Sequence, residues 1–229
     1  MKRAAVFLGI TLIARGAAFA APSDLLDWLT AVRGGAAALV ADPVLMETAQ
    51  SYAEVLASAG RISHTGPDGS DALTRYLRRG GTCARVAEII GAGPGLAPIE
   101  AAWMASEPHR SAIMRRYWTD VGWGRAPTAS GEIRVVLFAR RLVSGLAVDH
   151  AGGLWTVSGG LHAPEEGRPV IVSGTARIEA VEWDPRDGRF LFSVPEAAWS
   201  GYVRMGYIKK DGGLEITDVL TSPRGTEYR

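Results

Sequence analysis

The feature that most constrains this chain is a change of period near Tyr117. Upstream of it, apolar residues recur at helical spacing. Asp42-Pro43 supplies an N-cap and a first-turn proline, Leu45, Ala49, Tyr52, Ala53 and Leu56 then follow on one face, and Gly60 ends the run. Shorter helices are predicted over 24–33, closed by Gly34-Gly35, and over 71–79, closed by Gly80-Gly81. Pro98 opens another with Ile99, Ala102 and Trp103 on one face, and Pro108 restarts it so that Ile113 and Met114 pack. The whole stretch from Asp24 to about Ile113 therefore reads as helical. Beyond Tyr117 the pattern is strand-like, with strands over 121–124 and 133–139 joined by a loop over 126–131. Helices followed by strands predict an α+β fold, a layered domain over 24–142. Short β-like runs at 154–157, 169–172, 181–183, 190–194, 202–205 and 214–216 predict a second, small all-β domain over 150–229. Ser144-Gly145 and Gly152-Gly153 read as a flexible joint between the two.

The amino terminus bears on compartment. Residues 1–20 place Lys2 and Arg3 before an apolar run over 4–14 and small residues at Ala18 and Ala20, the layout of a signal peptide cut after Ala20. The run is too short to anchor a bilayer. The expected mature chain is secreted or periplasmic, with no transmembrane helix. Cys83 is the single cysteine, so no intramolecular disulfide can form and the core must supply the stability. Taking Lys2, Arg3 and Arg15 from the 25 basic residues leaves 22 against 24 acidic ones. A chain so close to neutral offers no electrostatic footprint for nucleic acid. Only Lys2, Lys209 and Lys210 are lysines, which reads as compositional bias.

Four histidines make any imidazole site enumerable. His150, in a glycine-flanked linker, and His162, beside Pro164-Glu165-Glu166, read as solvated surface residues. His64, in Ser63-His64-Thr65-Gly66, and His109, in Ser106-Glu107-Pro108-His109-Arg110, each stand at a helix boundary among turn-forming residues. Glu88 is flanked by Val86, Ala87, Ile89 and Ile90, and a carboxylate so placed needs a partner. Other candidates carry less. The glycine-rich 91–95 lacks a lysine and reads as lacking a strand–turn–helix setting for phosphate. Cys83 reads as a buried, inert thiol, Ser63 and Ser106 lie outside any nucleophile elbow, and Trp28, Trp103, Trp118 and Trp123 read as core.

Five pieces in order carry a resemblance: Asp42-Pro43 with Leu45, Ala49, Gln50 and Ala53; Ser63-His64-Thr65-Gly66-Pro67-Asp68-Gly69; Ala87-Glu88-Ile89-Ile90; Trp103 through Met114; and Val121-Gly122-Trp123-Gly124. The sequence resembles the CAP superfamily (cysteine-rich secretory proteins, antigen 5, pathogenesis-related 1), in its short bacterial SCP-domain branch. The resemblance spans about residues 24–142. It implies an α-β-α sandwich whose open cleft is lined by two histidines and two glutamates and holds, in some members, a divalent metal such as zinc. By position, His64 matches the first histidine, Glu88 the glutamate of the Gly-Glu-Asn motif, and His109 the histidine of the Trp…Ser-x-x-His-Arg motif. Glu107 falls one residue from the usual place of the second glutamate. Two departures stand out. The Gly-Glu-Asn motif reads Ala87-Glu88-Ile89, and the histidine that eukaryotic members carry on the penultimate strand has no counterpart between Glu132 and Phe138.

The set His64, Glu88 and His109 leaves two readings open. Two neutral imidazoles and a carboxylate have the ligand count of a zinc site with a water-bearing fourth position. Alternatively, the histidines satisfy Glu88 and tie the loops to the core without metal. The functional expectation is an exported protein that binds a metal or a small or lipid-like ligand in the His64/Glu88/Glu107/His109 cleft, its β domain meeting an envelope protein. The alternatives are a metal-assisted hydrolase or peptidase using Glu88 or Glu107 as general base, and a structural adaptor with no ligand.

Overall fold

The chain is described here from a computed structural model over residues 24–162, 167–199 and 201–221. The expected leader, and Pro164, Glu165 and Glu166, lie outside the described residues.

The first part runs α1 (Asp24–Val32), β1 (Val40–Ala41), α2 (Pro43–Ala59), α3 (Ala72–Arg78), β2 (Val86–Gly93), α4 (Leu96–Ala105), α5 (Glu107–Met114), β3 (Asp120–Thr128) and β4 (Gly131–Ala139). The caps on α2 are those the sequence predicts. Asp42 accepts a hydrogen bond from the Leu45 amide, and Gly60 ends the helix in the left-handed region at φ 62°. The sheet order is β1-β3-β4-β2, with β4 antiparallel to both neighbours. Alternation along β4 sends Ile133, Val135, Leu137 and Ala139 to a core shared with Leu45, Tyr52, Leu56 and Tyr76 of α2 and α3. Val136 and Phe138 face the opposite way, towards Leu25, Leu29, Ile99, Trp103 and Ile113 of α1, α4 and α5. This is an α-β-α sandwich. The α2 helix lies directly on β3, because an added Cβ at Gly122 or Gly124 would come within 2.3 Å of the Met46 amide or 2.2 Å of the Gln50 amide.

Several local expectations are corrected. Residues 86–93, inside the stretch read as helical, are a strand: eight residues in a two-residue alternation pair along the whole of β4. Because β2 passes through Pro94-Gly95 into α4, the 91–95 segment does have a strand–turn–helix setting, although it still lacks a lysine. β3 continues to Thr128, so only residues 129–130 join it to β4. Ile113 is buried, but Met114 is 41% exposed. Trp103 and Trp118 are core, whereas Trp28 and Trp123 are only partly covered.

A β-rich part follows: β5 (Val143–Ala151), β6 (Leu154–Leu161), β7 (Gly167–Ser173), β8 (Ala176–Glu179), β9 (Glu182–Trp183), β10 (Arg189–Pro195), β11 (Tyr202–Lys209) and β12 (Leu214–Thr221). Two sheets, β5-β6-β10-β9 and β12-β11-β7-β8, enclose a core containing Trp155, Val157, Phe190 and Phe192 from one and Ile171, Val203, Met205 and Tyr207 from the other. The expected flexible joint is a hairpin instead. Ser144-Gly145 lies within β5, and Gly152-Gly153 turns β5 into β6. His150 is accordingly not in a linker; its ring packs 4.4 Å from Trp155, with Nε2 3.3 Å from Glu196.

The β-rich part is bonded to the α-β-α part by main chain. Cys83 and Asp218 form an antiparallel bridge, the Ala84 amide donates to the Thr217 carbonyl at 2.8 Å, and the Val219 amide donates to the Thr82 carbonyl at 2.8 Å. Arg85 and Arg140 both reach Glu215, at 2.5 and 3.2 Å.

Candidate functional site

β2 is an edge of its sheet, so both helical layers meet the loops along it. Glu88 pairs in register with Leu137 and therefore points to the α2/α3 side. Its carboxylate is nearly closed off, at 4% exposure, and each oxygen has a partner: Oε1 lies 2.8 Å from His64 Nδ1 and Oε2 2.6 Å from Arg75 Nη2. Burial pushes the Glu88 carboxyl above its ordinary value, while Arg75 and His64 pull it back.

Arg75, on α3, is the organising cation. Its other nitrogen, Nη1, donates to the Ser70 carbonyl at 2.7 Å and the His64 carbonyl at 3.3 Å. Its guanidinium carbon stands 3.4 Å from the centroid of the Tyr52 ring, and the Tyr52 hydroxyl donates to the Ser63 carbonyl at 2.7 Å. The loop carrying His64 is thus fastened on both sides of the imidazole. Asp68 stiffens it further, accepting from the Ser70 amide and hydroxyl; these bonds and Arg78 hold its carboxyl well below the usual range.

His64 is 59% exposed even though Nδ1 is tied to Glu88. A carboxylate acceptor requires the proton on Nδ1, so Nε2 is an acceptor while the ring is neutral and a donor once it is charged. His109, on α5, is half-buried; burial lowers its pKa, and repulsion from His64 lowers it further. The two imidazoles therefore sense one another across the edge of β2. Glu107 stays apart from this group. It is 71% exposed and paired with Arg110.

The donor set does not suit a resident dication. Among the described residues, no three His, Cys, Asp or Glu side chains are grouped so as to hold a metal ion. Glu88 already shares its oxygens with an imidazole N–H and a guanidinium, and the Arg75 cation sits where a metal on Oε2 would need to be. Ser63 Oγ donates to the Thr65 carbonyl rather than to His64. Cys83 is fully buried, with its thiol pushed up to about 11 by burial. Arg75 and the positioning role of Tyr52 are the parts that sequence reasoning missed.

Comparison with known proteins agrees with this architecture. Residues 33–138 match the cysteine-rich secretory protein family, the CAP domain. Through this domain the chain belongs to the CAP family. Two solved structures are similar. An outer surface protein of Borrelia burgdorferi is 27% identical with a TM-score of 0.48, over 51% of this chain and 90% of that one. An extracellular protein containing an SCP domain from Bacillus anthracis is 19% identical with a TM-score of 0.46, over 51% of this chain and 39% of that one. No curated protein matched the chain. Among the described residues, no helix is long and apolar enough to cross a membrane.

Proposed function

We propose that the chain is exported and that its CAP domain is a non-enzymatic binding module whose recognition surface is the His64–His109 pair. The signal-peptide layout of residues 1–20 supports export. The observation that carries the binding reading is the contrast at His64: an imidazole more than half exposed, yet fixed through one nitrogen to a buried carboxylate that is itself held by Arg75. An imidazole locked in this way presents Nε2 at low conformational cost, which favours binding of a small molecule with hydroxyl or amide donors. A hydrolase would need either a metal at Glu88, where Arg75 sits, or a serine directed at His64, and Ser63 is turned to Thr65.

The test is nuclear magnetic resonance of the His64 and His109 ring nitrogens in the mature protein. Methyl glucoside serves as hydroxyl probe, N-methylacetamide as amide probe, and zinc as metal probe. Saturable shifts at both rings with a hydroxyl or amide probe, abolished at His109 by His64→Ala, are expected. Zinc is expected to bind weakly. Tight zinc binding lost in His64→Ala and His109→Ala would restore the metal centre, and no saturable shift with any probe would leave the network purely structural.

A further inference from the structure

A second cavity, of about 630 Å³, opens in the β-rich part and shares no residue with the His64 site. It lies where the edge strands β8 and β9 of the two facing sheets come together. Its volume is in the range of small-molecule sites, roughly 300–1,000 Å³. The floor is apolar, built from Val170, Trp183, Pro185 and Ile208. Trp183 packs only partly against the sandwich core, leaving indole surface to the cavity.

The rim is cationic. Lys209 and Lys210, the only lysines among the described residues, both line it, together with Arg168. Glu179 is the one acid among the described lining residues, and its 3.9 Å contact with Arg168 joins two side chains that are each about 70% exposed. Such a pair is worth little and gives way easily to a better anion. Lys209 approaches Glu215 at 3.3 Å, but that carboxylate already serves Arg85 and Arg140. Positive charge at the mouth therefore exceeds what the described neighbours neutralise.

We propose that this cavity binds a small amphiphilic anion, its aliphatic or aromatic body against Trp183, Pro185 and Ile208 and its carboxylate among Lys209, Lys210 and Arg168. The apolar floor gains from being covered, and the rim supplies the charge selection. Decanoate is the probe, titrated into the mature protein against 8-anilinonaphthalene-1-sulfonate, with thermal midpoints confirming that each variant is folded. Decanoate is expected to bind about tenfold more tightly than decanol, and to weaken as salt is added. Lys210→Glu, at an exposed position, is expected to weaken decanoate about tenfold, and Trp183→Ser to weaken both decanoate and decanol. Equal affinities for decanoate and decanol would overturn the proposal, as would an unchanged affinity in Lys210→Glu. So would sedimentation showing that the parent dimerises and that Trp183→Ser makes it monomeric, since a second copy would then fill the groove.

Discussion

Glu88 shows how far single residues were legible. Its aliphatic neighbours announce a carboxylate short of water and in need of a partner, and His64 meets one oxygen. The partner on the other oxygen was not legible. Arg75, Arg78 and Arg79 lie within five residues, and only the crossing of α3 over β2 selects Arg75, while Arg78 goes to Asp68 and Arg79 to Ser51. The pair is buried on both sides, at 8% and 4% exposure, so removing one member strands the other. Arg75→Met is expected to cost about 3 kcal/mol. Glu88→Gln, which leaves a buried cation facing a neutral amide, is expected to cost about 2 kcal/mol. Removing both at once should cost less than the two separate losses, by about 1 kcal/mol or more. Urea unfolding of the four proteins at neutral pH measures this, and strict additivity would mean that the contact contributes nothing.

At the scale of elements, legibility followed the strength of the local signal. α2 has a cap, a first-turn proline, a sustained apolar face and a terminal glycine, and it forms as expected. β2 has none of these punctuations. Its Val86, Ile89 and Ile90 fit a helix or a strand about equally in so short a run, and pairing with β4 decides it. β5 was hidden for the opposite reason: Gly145 and Gly152-Gly153 look like a joint, yet a hairpin uses glycine in the same way. The Val121-Gly122-Trp123-Gly124 run was visible as a motif, but its physical role appears only in the layer packing, where it lets the α2 backbone rest on β3. A methyl group at Gly124 meets main chain, which cannot rotate away. Gly124→Ala is therefore expected to cost about 1–3 kcal/mol, read as a lower urea midpoint. The same change at Gly152, where an added Cβ meets nothing within 4 Å, should act only through its left-handed backbone at φ 58°.

The whole molecule is held at one seam, and that seam titrates. The sequence divides into two periodic regimes, and the structure gives each its own core. It also returns β12 to the segment 82–84, a long-range contact with no local signature. At its centre Asp218 is 2% exposed, with Oδ2 buried and unpaired. Burial pushes its carboxyl up to about 6, against the weaker opposing pull of Thr82, Thr217 and Arg141. Cys83, across the bridge, is a neutral thiol at these pH values. A carboxyl whose folded pKa lies above its unfolded one favours the fold while protonated in both states. Its contribution is complete below the ordinary carboxylate range and is lost as pH rises through about 6. Asp218→Asn keeps an acceptor for Thr82 and Thr217 but cannot ionise. The difference in thermal midpoint between variant and parent is expected to be smallest near pH 4 and to grow to a few degrees in favour of the variant by pH 7. Taking the difference cancels the titration of Glu88, whose carboxyl is shifted in the same direction. A constant difference across that range would show that Asp218 keeps its ordinary acidity at the seam, and that the pairing of β12 with residues 82–84 is insensitive to pH.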